Sequence, residues 1–371
     1  MIWARYGGGD ARERFARDGN VVVSGVFDWI VKDAELMAMV DAEFDMYRHH
    51  LREQNGNANL GWCRNMWHSL VQQAIRQDGV FYALNVAARP DKNWRLISYP
   101  YYTMYGKEGD SSVFKHVDLN IPRFLRSGRG GNMVQTAILM DDELADSCTI
   151  IIPGFQKHVG EWWNRVMMWG EDKGGLVDEV GEIYKEADQV KFGRFEPVVC
   201  RRGDVWMTVP QMIHGCTGCK RQRRVVYPWF MGLDEEHVLE LAECGQWKTV
   251  AGAHLLMTAV KMSPSGQAHG FSVGDERFEG VVEIMGVMVL GDALVGRWGW
   301  DSGMVLKERD VILGGDERLA WERMERGRSG MKMVWKEGFE MMMQVEMEGY
   351  GDNSYFVASG LAGLSMMKWH R

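Results

Sequence analysis

The segment FKHVDLN, residues 114–120, determines the predicted fold of this chain. Its surroundings are typical of a β-strand, where the side chains of residues i and i+2 point to the same face of a sheet. His116 and Asp118 have this spacing, so an imidazole and a carboxylate should converge on one point. A His-x-Asp pair alone is weak evidence for a metal site, and a further histidine from another strand would strengthen it.

The candidate for that histidine is His214, at the end of the segment RGDVWMTVPQMIHG, residues 202–215. This segment begins with a Gly203-Asp204 turn, continues as a β-rich run and ends in glycine after the histidine. His116, Asp118 and His214 are therefore the predicted metal ligands. Two histidines and one carboxylate that leave coordination positions open are typical of non-haem Fe(II) oxygenases.

Two arginines, Arg223 and Arg224, open the next β-rich run, VVYPWF, at residues 225–230. An arginine entering this strand could hold a dicarboxylate co-substrate through a bidentate, charge-assisted pair. Because they are adjacent in a strand, their side chains should point to opposite faces of the sheet. Both stay candidates at this point.

With these motifs in this order, the sequence resembles the iron(II)/2-oxoglutarate-dependent oxygenases, and within them the phytanoyl-CoA dioxygenase-like group. The likeness extends to FARDGNVVVSGVF (residues 15–27), AILMDD (137–142) and TIIIPGFQKH (149–158). In the last segment, Phe-Gln follows Pro-Gly where the group has Ser-His. These landmarks cover roughly residues 12–235, and residues 236–371 carry no such likeness.

The resemblance implies a mainly β fold with flanking helices, built on a double-stranded β-helix or jelly roll in residues 1–235. Residues 236–371 would form an accessory C-terminal region of unknown role. It also implies Fe(II), 2-oxoglutarate and O2 as cofactors, with oxidation of a substrate C–H bond as the reaction. By resemblance the 2-oxoglutarate arginine is Arg223, with Arg224 as the alternative, although Val225 lacks the hydroxyl that many relatives carry two residues past the arginine.

Two further side chains are candidates for the co-substrate pocket. Gln135 alternates with apolar neighbours in the predicted strand 133–140, so it would either face the metal or be buried with partners of its own. Tyr102, with Tyr99 and Tyr101, belongs to the aromatic strand at 94–105, where core packing is the main expectation and an active-site role for one of the three is the alternative.

Composition limits the classes of protein and of partner. The 371 residues are 46% hydrophobic and 25% charged, values typical of a globular protein, and no apolar run reaches membrane-spanning length. The N-terminal residues lack a signal-peptide pattern, so we expect an intracellular location, cytoplasmic or nuclear. The net charge of −8 disfavours a nucleic-acid partner, which favours a small molecule or lipid as substrate.

Several alternatives remain open on the sequence alone. An oxygenase acting on a modified nucleobase in nucleic acid would need a local basic groove, and residues 220–224 are the one basic run. A non-catalytic jelly-roll binding protein and a zinc hydrolase are the other two. Cys216 and Cys219 form a Cys-x-x-Cys pair, but a structural zinc site needs two more ligands, so we interpret them as loop residues.

Hydrophobic spacing also predicts elements outside the site. Helices are expected at 29–52, 65–76 and 316–325, and a loop is expected at 121–132.

Overall fold

Two antiparallel β-sheets carry the predicted site residues, and helices flank them. The computed structural model describes residues 2–55, 62–64, 69–89, 94–110, 113–118, 121–128, 133–167, 184–232, 287–295 and 299–349. The predicted combination of antiparallel sheets with flanking helices is confirmed. No helix among these residues is both long enough and apolar enough to cross a membrane.

The ten described strands form one sheet of six strands and one of four. The six-stranded sheet has the order β1-β8-β5-β10-β3-β2, and the four-stranded sheet has the order β4-β9-β6-β7. The strands are β1 (Asn20–Val23), β2 (Trp62–Arg64), β3 (Leu96–Gly106), β4 (Val113–His116), β5 (Met133–Leu139), β6 (Thr149–Ile151), β7 (Glu196–Val198), β8 (Val205–Thr208), β9 (His214–Cys216) and β10 (Arg223–Gly232).

Twelve α-helices are described: six precede β3, three lie between β4 and β7, and three follow β10. They are α1 (Ile2–Tyr6), α2 (Ala11–Asp18), α3 (Asp28–Val31), α4 (Ala34–Asn55), α5 (Leu70–Arg76), α6 (Gly79–Ala87), α7 (Ile121–Ser127), α8 (Val159–Met167), α9 (Glu186–Phe192), α10 (Val289–Leu294), α11 (Gly303–Leu313) and α12 (Glu317–Gly349).

Side chains of β5 alternate between two hydrophobic cores, as the period of a strand requires. Ala137 and Leu139 face the core that lies between the two sheets, together with Trp206 and Val225. Ile138 belongs instead to the core between the six-stranded sheet and the helices. We call these the inner and the outer face of the six-stranded sheet.

The outer face is covered by helices from both ends of the chain. Phe27, Phe81, Trp335 and Phe339 are all buried in this one core. Ion pairs add to it: Arg328 of α12 binds Asp78, which also caps the N-terminus of α6. The described C-terminal helices therefore share their hydrophobic core with the N-terminal helices.

A tight turn before β8 confirms the turn predicted at Gly203-Asp204. Gly203 has a φ of +84°, and a Cβ at this position would lie 2.8 Å from an Asp28 side-chain oxygen. Its carbonyl accepts a hydrogen bond from the backbone of Phe27. Glycine is required here by both the left-handed backbone and the close approach of α3.

Several predicted boundaries differ from the structure. Residues 121–132 were expected as a loop, and this is wrong for residues 121–127, which form α7. Pro122 is compatible with the helix because it lies in the first turn, where no intrahelical N–H donor is needed. The predicted helix 29–52 is divided into α3 and α4, and the one at 65–76 begins at Leu70, after the capping Ser69. The helix expected at 316–325 continues to Gly349.

Candidate metal centre

His116 and His214 face each other across the β4–β9 pair. They are directly opposite in the antiparallel register, and their ring centroids are 4.3 Å apart. Asp118 lies two residues after His116, where β4 has just ended. Its carboxylate oxygens lie 3.5 Å from Nε2 of His116 and 3.4 Å from Nε2 of His214. The structure therefore brings the three predicted ligands together.

One ligand atom from each of these three residues lies within 4.8 Å of the others. No other group of three His, Cys, Asp or Glu side chains in the described part of the chain has this spacing. Adjacent ligands that each lie about 2.1 Å from a metal ion would be about 3 Å apart, so a small contraction of the site would close it on an ion. Two imidazoles and a carboxylate fit Fe(II) and leave one side of the ion open.

Hydrogen bonds and charge set the protonation of these ligands. Nδ1 of His214 lies 3.1 Å from the carbonyl oxygen of Met212, so Nδ1 carries the proton and Nε2 is left to bind a metal. Burial opposes ionisation of Asp118, but the positive charge and the N–H donors of the His116 and His214 imidazoles, when these rings are protonated, outweigh it and hold the pKa of this carboxyl well below its ordinary value. Asp118 is therefore available as a charged ligand at neutral pH.

Gln135 reaches the centre from the inner face of the six-stranded sheet. Its side-chain Nε2 donates a 2.9 Å hydrogen bond to Oδ2 of Asp118, and its side chain is almost fully buried. Its Oε1 has no hydrogen-bond partner among the described residues. Gln135 thus orients the carboxylate and leaves a buried acceptor beside the candidate metal centre.

Arg223 also lies on the inner face, where it is buried. Its Nε donates to Oε1 of Glu143, and its Nη2 donates a 2.8 Å hydrogen bond to Oγ1 of Thr149. Thr149 lies opposite Cys216 in the β6–β9 register, while Ile151 lies opposite His214. The Arg223 guanidinium therefore lies on the same side of β9 as the histidine ligand, displaced by two residues along the strand.

Arg224 points to the outer face. Its guanidinium binds Asp141, at 2.7 Å, and Asp41 of α4, and it lies 6.0 Å from the ring centroid of Phe44. This placement separates the side chain from the space between the sheets, where His116, Asp118 and His214 meet.

The remaining candidates have different outcomes. Tyr102 lies in β3 opposite Tyr227, but its side chain is outside the described residues, so its role stays a prediction. Cys216 and Cys219 are free and buried, and burial raises the pKa of the Cys219 thiol. Neither belongs to a candidate metal group among the described residues, so the zinc half-site interpretation has no support.

Two neighbours of Arg223 were not identified from the sequence. Glu143 is one of three consecutive acidic residues after β5, and Thr149 opens β6. No local pattern distinguishes the buried Glu143 from its neighbours Asp141 and Asp142. The usable signal was indirect, since a buried arginine in an inner position requires a buried acid from another segment.

Comparison with known proteins identifies no close relative. No protein-family model and no curated protein matches the chain. Among solved structures, AviO1 from Streptomyces viridochromogenes Tue57 is similar at 17% identity, with 60% of this chain and 93% of that chain covered and a TM-score of 0.39.

Two further solved structures with similarity have titles that name a cofactor. The non-heme alpha ketoglutarate dependent carbocyclase SnoK from nogalamycin biosynthesis has 13% identity, covers 61% of this chain and 84% of its own, and has a TM-score of 0.42. EctD from S. alaskensis with bound Fe has 13% identity, with 60% of this chain and 76% of that chain covered, and a TM-score of 0.41. These likenesses are distant and do not extend to individual residues of this chain.

Proposed function

We propose that this chain is a non-haem Fe(II)- and 2-oxoglutarate-dependent oxygenase that oxidises a C–H bond of a small molecule or lipid. The observation that carries the proposal is the convergence of His116, Asp118 and His214, with Nε2 of each histidine about 3.5 Å from the carboxylate. This donor set suits Fe(II) and leaves room for a chelating co-substrate and O2.

The proposed architecture is a double-stranded β-helix. Eight strands, β3 to β10, divide equally between the sheets: β3, β5, β8 and β10 lie in one and β4, β6, β7 and β9 in the other. The antiparallel pairs of these strands, and the spatial order β8-β5-β10-β3 against β4-β9-β6-β7, support this proposal of a chain folded back on itself as a jelly roll. Residues 236–371 are then an accessory region, whose described helices pack on the outer face.

Arg223 is the proposed anchor for the distal carboxylate of 2-oxoglutarate. Positions two apart in a strand are separated by about 7 Å, which is of the order of the length of a five-carbon dicarboxylate. Arg223 binds Thr149, which lies at such a displacement from His214. Thr149 would also supply the hydroxyl missing at Val225.

The described residues would divide the work as follows. His116, Asp118 and His214 hold the ion, Gln135 orients the carboxylate through its 2.9 Å hydrogen bond, and the surrounding inner core excludes water. With 2-oxoglutarate and O2, Fe(II) supplies the oxidation of an unactivated C–H bond.

The test is an anaerobic titration of Fe(II)-loaded protein with 2-oxoglutarate, followed by the weak visible charge-transfer band of the chelate. We expect the band in the wild-type protein and in His158→Ala, which removes a histidine outside the centre. His214→Ala should lose it. Absence of the band from folded, iron-loaded wild-type protein would contradict the proposal. If the band forms, succinate release across a compound panel would identify the substrate.

A further inference from the structure

Glu143 is fixed in the space between the sheets by more than one contact. It exchanges backbone hydrogen bonds with Cys200, and its side chain is 3% exposed. Oε1 accepts from Nε of Arg223, while Oε2 accepts a 3.2 Å hydrogen bond from the backbone N–H of Thr149. The carboxylate therefore has a defined position and cannot turn towards water.

This arrangement changes the charge that the proposed co-substrate would meet. An isolated arginine offers one positive charge to the distal carboxylate of a dicarboxylate. Here the same guanidinium is already paired with Glu143 in a site closed to solvent. The two together are neutral, so a second carboxylate would enter without an opposite charge of its own.

The summed charge of the described residues in the site gives the same direction. A divalent metal, ionised Asp118 and the Arg223–Glu143 pair together carry a charge of about +1. A 2-oxo acid with an uncharged tail brings that sum to zero, whereas 2-oxoglutarate leaves one uncompensated negative charge in a buried site. Leaving a buried charge uncompensated is the more costly of the two outcomes.

We propose that Glu143 is a specificity-determining residue, which neutralises Arg223 and removes the preference of the site for a dicarboxylate over a 2-oxo acid with an uncharged tail. The inference rests on the proposed function, since it assumes that a 2-oxo acid binds the metal and extends towards Arg223. It adds that the co-substrate class is broader than 2-oxoglutarate.

The size of the effect follows from the removal of one charge. A unit charge roughly 7 Å from the distal carboxylate, at an effective dielectric constant of about 20, changes affinity about 50-fold. Glu143→Gln keeps the shape of the side chain and removes that charge. It should therefore raise the affinity for 2-oxoglutarate about 50-fold relative to 2-oxopentanoate, which has the same carbon number and no distal carboxylate.

The experiment measures dissociation constants of both compounds by anaerobic calorimetry on protein loaded with Fe(II) or Mn(II), so that no turnover is needed. Glu308→Gln is the matched control, because Glu308 is also a buried, ion-paired glutamate but lies between α11 and α12. The expected result is discrimination of less than about tenfold in the wild-type and control proteins. Glu143→Gln should prefer 2-oxoglutarate by about 50-fold.

Each other outcome is decisive. A wild-type preference for 2-oxoglutarate of more than about tenfold overturns the role of Glu143 without any variant, including when Glu143→Gln does not fold. A folded Glu143→Gln whose preference stays below about tenfold overturns it as well. Equal weakening of both compounds in folded Glu143→Gln also overturns it, because it marks a structural effect. If neither compound binds metal-loaded wild-type protein, the proposed function itself fails and the inference falls with it.

Discussion

Arg223 and Arg224 are neighbours on β10, yet the two faces of the six-stranded sheet give them different environments. On the inner face, Arg223 is enclosed with Glu143 and Thr149. On the outer face, Arg224 binds Asp141 and Asp41, and the Asp41 side chain is 56% exposed. One step along the chain separates an arginine beside the candidate metal centre from one that joins the sheet to α4.

The alternation of side chains along a strand, more than the residue type, decides what an arginine can do here. The inner ion pair is closed to water, so removing one partner leaves a buried charge. The acids that bind the outer arginine are in reach of solvent, so water can replace part of what is lost.

Loss of a metal ligand should have the largest effect on the inner face. Asp118→Ala and His214→Ala should each weaken Fe(II) or Mn(II) binding by more than about 100-fold. Loss of a residue that only hydrogen-bonds a metal ligand already lowers metal affinity about 10–100-fold, and loss of the ligand itself should cost more. Calorimetric metal titration measures this, with His158→Ala as the control. Unchanged metal affinity in either variant would show that the substituted residue is not a metal ligand.

The two arginines should differ in stability as well as in binding. Arg223→Met should lower the free energy of unfolding by about 3–5 kcal/mol, because it leaves Glu143 charged and buried. Arg224→Met should lower it by about 1–2 kcal/mol. Denaturant unfolding gives both values, and the double variant Arg223→Met/Glu143→Leu should recover part of the inner loss. Equal losses in the two single variants would erase the contrast between the faces.

A smaller effect is expected at Gln135, the partner of Asp118. Gln135→Leu should weaken metal binding about 10–100-fold, since the carboxylate loses the hydrogen bond that orients it. Thr136→Val is the matched control, because the adjacent side chain points to the other face and bonds the carbonyl of Pro228. Metal affinity that falls only in Thr136→Val would reverse the assignment of faces.

The smallest effect should come from the outer helical layer. Lys336 of α12 pairs with Glu35 at the start of α4, and both side chains are more than 30% exposed. Lys336→Ala should change the free energy of unfolding by about 1 kcal/mol or less and leave metal affinity unchanged. A change in metal titration would show that the outer layer is coupled to the inner face.

The local pattern of the sequence was enough for most of the strands and for the three converging side chains. It missed β2, and it placed Cys216 in a loop although this residue ends β9. His-x-Asp in a strand followed by a distant histidine predicted a group that the fold does bring together. The alternation of side chains in a strand also predicted that Arg223 and Arg224 would point to opposite faces of the sheet. Their roles towards a co-substrate, and those of Gln135 and Tyr102, stay predictions.

What could not be predicted depends on contacts between segments far apart in the chain. Glu143 lies 80 residues from Arg223, and nothing in the run Asp141-Asp142-Glu143 distinguishes the one acid that is buried between the sheets. The helix α7 was missed because the glycine-rich residues 128–132 that follow it are typical of a loop, and the whole segment was predicted as one. In both cases the outcome depends on which residues distant segments of the folded chain bury, and local residue spacing does not contain this information.

The long helix α12 has a consequence for how this protein is made. Its 33 residues bind the start of the chain through Lys332 to Asp33 and through Arg328 to Asp78, a partner 250 positions earlier. A ribosome delivers the N-terminal helices first. The apolar side of those helices that Trp335 covers therefore stays exposed until α12 has been translated. During that interval they present a surface that chaperones can bind.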